Sequence, residues 1–128
     1  MVIDLVTMET TEPVRKAKML LDAHGFRHLP VVDNGAIVGI VSDRDINRAM
    51  AISESMKALL DVDTGSTLNL GEIMVKNITS VCKDDKLKTA AQIMLDKKIS
   101  CLPVLEGDVL VGLLTETDIM KQFVKMAD

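Results

Sequence analysis

Tryptophan and tyrosine do not occur in these 128 residues, and Phe26 and Phe123 are the only aromatic carbon rings. Single-stranded nucleic acid is gripped by stacking its bases on such rings, so that mode of binding is excluded. Positive charge is also short. Fifteen Lys and Arg against nineteen Asp and Glu leave a formal charge of −4, without the broad basic footprint a nucleic-acid partner needs. An anionic ligand must therefore be held by local donors. Long hydrophobic runs are missing too: stretches such as residues 36–41 reach about six residues, against the ~20 of a membrane-spanning helix, so no membrane partner is expected. The first eight residues carry an acid and no basic cluster ahead of an apolar run, which does not read as a secretory signal. A cytoplasmic location is the expectation. The two cysteines, Cys82 and Cys101, stand in no metal-ligand or redox spacing and read as reduced core or half-buried thiols.

Apolar residues, by contrast, are plentiful at 48%, with a mean hydropathy of +0.24 despite 27% charged residues. That is more apolar surface than a small core hides easily, and a subunit interface is the natural outlet. The chain also repeats itself. Residues 5–50 lie over residues 78–123 without a gap, each pair 73 positions apart. Ala17 falls on Ala90, Leu29-Pro30-Val31 on Leu102-Pro103-Val104, Val38-Gly39 on Val111-Gly112, and Asp45-Ile46 on Asp118-Ile119. Copies of about 46 residues are too small to bury a sufficient core alone, so the two are expected to pack on each other, with the cleft between them as a candidate site.

Each copy reads as strand, helix, strand, hairpin, strand, helix, an α+β pattern. In the first, residues 5–8 form a short β run, and Thr10, Thr11 and Pro13 signal a helix with Val14, Ala17, Leu20 and Leu21 on one face. Residues 28–32 and 36–41 are β segments joined through Asp33-Asn34-Gly35, where Asn-Gly suits a two-residue hairpin turn. Glu106-Gly107-Asp108 is the second copy's turn. Ser42-Asp43-Arg44-Asp45 opens a helix with Ile46, Ala49 and Met50, and Thr115-Glu116-Thr117-Asp118 opens its twin with Ile119, Phe123 and Met126. Residues 52–67 have no counterpart and read as a helical piece at 53–60 followed by a polar loop at 61–66. Asn69 and Glu72 then stand at capping-box spacing, which predicts a short helix at 70–74 leading into copy two. The expected division is a first repeat at 1–51, linker and lead-in helix at 52–76, and a second repeat at 77–128.

The most specific pattern is Gly39-Ile40-Val41-Ser42-Asp43-Arg44-Asp45 with its echo Gly112-Leu113-Leu114-Thr115-Glu116-Thr117-Asp118. Glycine lets another group approach the strand, and the hydroxyl sits where a helix start leaves N–H donors unsatisfied and favours anions. A carboxylate three residues on, with no hydrogens of its own, suits two neighbouring hydroxyls such as a ribose 2′,3′-diol. The same spacing also fits a hydroxyl that caps the helix while the acid bonds back to it. Retention of Gly, hydroxyl and Asp in both copies leans toward a ligand, although a shared fold requirement would retain them as well.

With this pattern in both copies, and Leu-Pro-Val on the strand before it, the chain resembles a tandem pair of CBS domains, a Bateman module, over nearly its whole length. The resemblance implies two βαββα repeats packed about a pseudo-two-fold axis, with clefts between them for adenosine-containing ligands. It implies that Asp45 and Asp118 hold ribose hydroxyls, with Ser42 and Thr115 near ribose or phosphate. It also implies a base held by backbone and aliphatic groups at Leu5, Val6, Thr7, Phe26 and Leu29, and at Ile78, Thr79, Ser80, Ile99, Ser100, Cys101 and Leu102. Such a mode suits a chain without Trp or Tyr. Family members usually carry a lead-in segment before both copies. Here subtracting 73 from the helix at 70–74 runs off the start, which reads as a short form, trimmed or natural.

The two copies should differ. Arg27, His28 and Arg44 stand where copy two has Ser100, Cys101 and Thr117, so only the first set offers charged or chargeable phosphate donors. Alternatively, Arg27 and His28 mark a solvated strand edge and Arg44 an exposed first turn. No metal site is expected: His28 has no second ligand at suitable spacing, His24 stands apart on a helix end, and Asp84-Asp85 reads as helix capping. No nucleophile and base pair or P-loop is present, so an enzyme is the least expected reading; what the resemblance implies is a non-enzymatic sensor that needs no cofactor and takes AMP, ADP or ATP as regulatory ligand. Ligand would change how paired modules pack as a homodimer through Met50, Ile52, Met120, Phe123 and Met126, and so act on a regulated protein. S-adenosylmethionine, NAD or a cyclic dinucleotide, or a structural dimerisation module with vestigial sites, are the competing readings.

Overall fold

The structure, a computed structural model, describes residues 6–60 and 68–127. Its elements run β1 (Met8–Glu9), α1 (Val14–His24), β2 (His28–Asp33), β3 (Ala36–Ser42), α2 (Asp43–Leu60), α3 (Leu70–Ile73), β4 (Val81–Cys82), α4 (Leu87–Lys97), β5 (Cys101–Glu106), β6 (Val109–Thr115) and α5 (Glu116–Met126). They fall into two compact units, one spanning Val6–Asn77 and the other taking the chain from Ile78 onward. Each holds a three-stranded sheet, β1-β2-β3 or β4-β5-β6, with an outer strand parallel to the middle one and a hairpin completing it. This is the βαββα pattern twice. The offset of 73 survives in the ladder: His28 faces Ser42 as Cys101 faces Thr115, and the irregularity between Val31 and Val32 recurs between Val104 and Leu105.

Helical period sets the core of the first unit. Val14, Ala17 and Leu21 of α1 bury one stripe against Leu29, Val31 and Val41 of the sheet, and Ile46 and Ala49 of α2 close the layer from the other helix. Leu20 is half-buried beside them. Among the described residues the second unit's buried set is Val81, Ala90, Met94, Leu102, Val104 and Leu114, and α5 buries none of its residues fully. Both hairpin turns form as the sequence predicts, with Asn34 and Gly35 at φ of 52° and 84°, the left-handed pair that an Asn-Gly turn requires.

Three expectations are corrected. The first strand of each copy is shorter and later than expected: β1 covers Met8–Glu9 and β4 Val81–Cys82, while Val6, Thr7 and residues 78–80 join no ladder and Leu5 lies outside the described residues. The helical piece at 53–60 is not separate. No Gly or Pro interrupts residues 43–60, and Ser53, one turn beyond Ala49, stays buried, so α2 continues unbroken for 18 residues. The polar loop at 61–66 lies outside the described residues. Asp84-Asp85 does not cap α4, whose N-cap is Lys86 without a side-chain bond; instead Asp85 Oδ2 accepts the Cys82 N–H at 2.9 Å.

Helix α3 forms where its capping signal stands. Glu72 does accept the Asn69 N–H at 3.2 Å, in line with the capping signal. The helix nevertheless packs with the first copy. Leu70 is fully buried in that core, its N–H donates to the Glu12 carbonyl, the Val14 N–H donates to the Leu68 carbonyl, and Gly71 donates to Thr10. Beyond it, Val75 and Ile40 exchange both backbone hydrogen bonds, at 2.9 and 3.1 Å, so the connecting segment adds to the free edge of β3. An apolar Leu on a four-residue helix has no other way to bury itself, and an open strand edge offers the backbone its partners.

Candidate functional site

The strand-to-helix turn of the first unit gathers five of the expected residues. Pairing of His28 with Ser42 aligns the start of β2 with the end of β3, and the Asp43 N–H donates to the Arg27 carbonyl at 2.8 Å. Arg27, His28, Ser42, Arg44 and Asp45 therefore meet at the mouth of α2. The Ser42 N–H donates to Asp45 Oδ2 at 3.0 Å, and the Asp45 N–H donates to Ser42 Oγ at 3.1 Å. The second unit repeats this: Glu116 N–H to the Ser100 carbonyl, Thr115 N–H to Asp118 Oδ2 at 2.8 Å, and Asp118 N–H to Thr115 Oγ1 at 3.3 Å. Here the hydroxyl also donates, Thr115 Oγ1 to Asp118 Oδ2 at 3.0 Å.

Both acids are thus reciprocal helix caps, half-buried, and in each it is Oδ2 that takes the cap bond. The capping alternative describes what these side chains do in the protein. It leaves Asp45 Oδ1 without a hydrogen bond among the described residues, pointing a second acceptor elsewhere. Burial pushes the Asp118 carboxyl up, but hydrogen bonds, the Thr115 N–H first among them, together with the positive charge of the chain's amino terminus, outweigh it and hold it below the usual carboxylate range. Arg27 and Arg44 are exposed and form no ion pair among the described residues, whereas His28 is half-buried.

The expected base-contacting residues separate by burial. Leu29 and Leu102 lie fully in the two cores, so only their backbone is available to a ligand. Val6 and Phe26 are half-buried against the first core and Ile99 against the second. Thr7 and Ser80 are exposed, while Ile78, Thr79 and Ser100 are half-buried. Gly39 has a different role from the one its place in the motif suggests. A Cβ there would meet Met74 Sδ at 2.5 Å and the Val75 carbonyl at 3.0 Å, so the glycine admits the chain's own connecting segment. Sequence reasoning missed the brace of each first strand: Glu12 Oε2 accepts the Glu9 N–H at 2.9 Å just as Asp85 serves Cys82, and the 73-residue offset that aligns Glu12 with Asp85 was the signal.

Cys101 is buried across from Thr115, and its thiol is pushed up to about 12 from 9.0 by burial first and by the Asp118 charge second. Between pH 9 and about 12 the unfolded thiol loses its proton while the folded one keeps it, so stability present below pH 9 declines as pH rises, by about 1.4 kcal/mol per pH unit. Urea unfolding at pH 8 and 10.5 should show this decline, and Cys101→Ala should flatten it. Equal slopes in the two proteins would contradict the buried-thiol reading.

Among the described residues no group of three or more His, Cys, Asp or Glu could hold a metal ion, and no helix is long and apolar enough to cross a membrane.

The profile of the CBS domain family matches residues 1–52 and 70–125. The chain belongs to the CBS domain family, as a tandem pair, and pairs of this kind are regulatory modules rather than catalytic ones. An uncharacterized protein of Methanocaldococcus jannaschii, MJ1225, is 30% identical over 94% of this chain and 44% of its own length. Its crystal structure superposes with a TM-score of 0.83 over 95% of this chain and 45% of that one. A homoserine O-acetyltransferase of Methanocorpusculum labreanum is 34% identical over 85% of this chain, but only 20% of the enzyme. The chain therefore spans less than half the length of these curated relatives. Among solved structures, the CBS domain pair of protein MJ0100 in complex with 5′-methylthioadenosine and S-adenosyl-L-methionine has a TM-score of 0.79 at 27% identity, covering 96% of this chain and 90% of that one.

Proposed function

We propose that this CBS pair is a sensor of adenosine-containing ligands, with a preference for AMP, ADP or ATP in the first copy. Asp45 accepts the two ribose hydroxyls through the carboxylate oxygen not spent on the cap, assisted by Ser42, and Asp118 with Thr115 holds the ribose in the second copy. Arg27, His28 and Arg44 take phosphate, and the backbone of Leu29 with Val6 and Phe26 flanks the base; Ile99, Ser100 and Leu102 do so in the second copy. The observation that carries this reading is the half-buried Asp45 carboxylate, its Oδ1 without a partner among the described residues, set beside Arg27 and Arg44, which form no ion pair there. Regulation follows if ligand favours one packing of a homodimer over another. The exposed Met120, Phe123 and Met126 of α5, with Ile52 of α2, are the apolar surface for that contact, whereas Met50 belongs to the first core. A cytoplasmic setting, with a regulated protein as partner, completes the proposal.

A second reading has its own support: MJ0100 was solved with 5′-methylthioadenosine and S-adenosyl-L-methionine, both adenosines without phosphate. Calorimetry separates the two. AMP, ADP or ATP binding more tightly than 5′-methylthioadenosine, with affinity falling as salt rises, is the expected result. Tighter binding of the thioether ligands would remove the phosphate assignment and leave the ribose one. Because the chain lacks Trp and Tyr, a nucleotide retained through purification should also appear as 260 nm absorbance that survives desalting and leaves on denaturation.

A further inference from the structure

Two rings meet at the end of α1. Gly25 closes the helix in the left-handed region, φ 69°, donating to the Leu21 carbonyl at 2.8 Å. The residues on either side of it, His24 and Phe26, are brought face to face, with ring centroids 5.2 Å apart and planes inclined by 11°. Phe26 rests half-buried against the first core, and His24 lies exposed over it. The turn itself does not call for rings. Its counterpart in the second unit, Lys98 at φ 56°, makes the same left-handed helix ending between Lys97 and Ile99. One of two phenylalanines and one of two histidines in the chain are thus committed to a stacked pair directly ahead of Arg27 and His28.

We propose that His24 is a positioning residue for base recognition in the first copy: stacked on Phe26, it holds that ring in one orientation as a flat wall of the base subsite. This rests on the adenosine reading above and adds a residue to it. A half-exposed phenylalanine on a three-residue connection has freedom to turn about its χ angles, and parallel stacking removes that freedom at the geometry aromatic pairs favour. The second copy, with Lys97 and Ile99, offers no such wall. Base discrimination therefore belongs to the first copy, beside the phosphate-binding cations.

Calorimetric titration of the wild-type chain, His24→Ala and His24→Phe with AMP and with ribose 5-phosphate tests this. His24→Ala should weaken AMP binding roughly three- to tenfold and leave ribose 5-phosphate unchanged, while His24→Phe restores AMP. Because the chain has only two histidines, the His24 ring protons can be followed by NMR, assigned with His28→Gln. They should shift when AMP is added and stay in place with ribose 5-phosphate. Unchanged AMP affinity in His24→Ala, with Asp45→Asn still abolishing it, overturns the role of His24 alone. A parallel loss of both ligands would mark a mere effect on the fold and overturn it too. Wild-type protein that binds no AMP would overturn this inference together with the adenosine reading.

Discussion

Asp45→Asn should lower the affinity of the first copy for AMP by on the order of 100-fold while leaving the melting temperature within about 2 °C. The substitution separates two jobs that one carboxylate performs. An asparagine carbonyl can still accept the Ser42 N–H that Asp45 Oδ2 accepts now, and Asn is as good as Asp at such positions. The other oxygen becomes an amide NH2, which donates and cannot receive a hydroxyl proton. Two charge-assisted hydrogen bonds to the ribose diol are lost, each worth about 1.5–3 kcal/mol. Asp45→Ala is the less informative change, since it also removes the cap at a cost of about 1 kcal/mol. Asp118→Asn should act likewise on the second copy, and the double variant should bind no adenosine ligand. Wild-type affinity in the double variant would reduce both acids to helix caps.

Leu70→Ala should destabilise the first unit by about 2–5 kcal/mol, the range for emptying a fully buried leucine site. The effect should be regional. Leu70 belongs to a cluster with Met8, Val14, Ala17 and Leu29, its helix bonds to residues 10 and 12, and Leu68 just ahead of it bonds to Val14. Amide exchange should therefore accelerate across Val6–Asn77 before it does so in the chain from Ile78 onward. Faster exchange in the second unit first would assign the α3 helix to that unit, as its position in the chain suggests.

This helix shows where sequence reasoning stops. The Asn69 and Glu72 spacing located it, because capping is a matter of residues three apart, and the Asn-Gly turn and helix stripes were legible for the same reason. Which neighbour α3 packs against is decided by contacts some sixty residues away, which no local spacing signals. Gly39 fails in the same manner: its motif announced a close approach, but only the fold reveals that Met74 and Val75 make it. At the candidate site, the pairing of Ser42 with Asp45 followed from their spacing, as did their twins at Thr115 and Asp118. The alignment of Arg27 with Asp43 needed the hairpin register as well, and the His24–Phe26 stack depends on a left-handed turn that no periodicity signals.

A crystal structure of the chain soaked with AMP tests the ribose assignment most directly. The account predicts the 2′ and 3′ hydroxyls within 3.2 Å, about hydrogen-bond distance, of a carboxylate oxygen of Asp45, with Oδ2 still bonded to the Ser42 N–H. A ribose bound elsewhere, with Asp45 and Asp118 touching only their own turns, would contradict it.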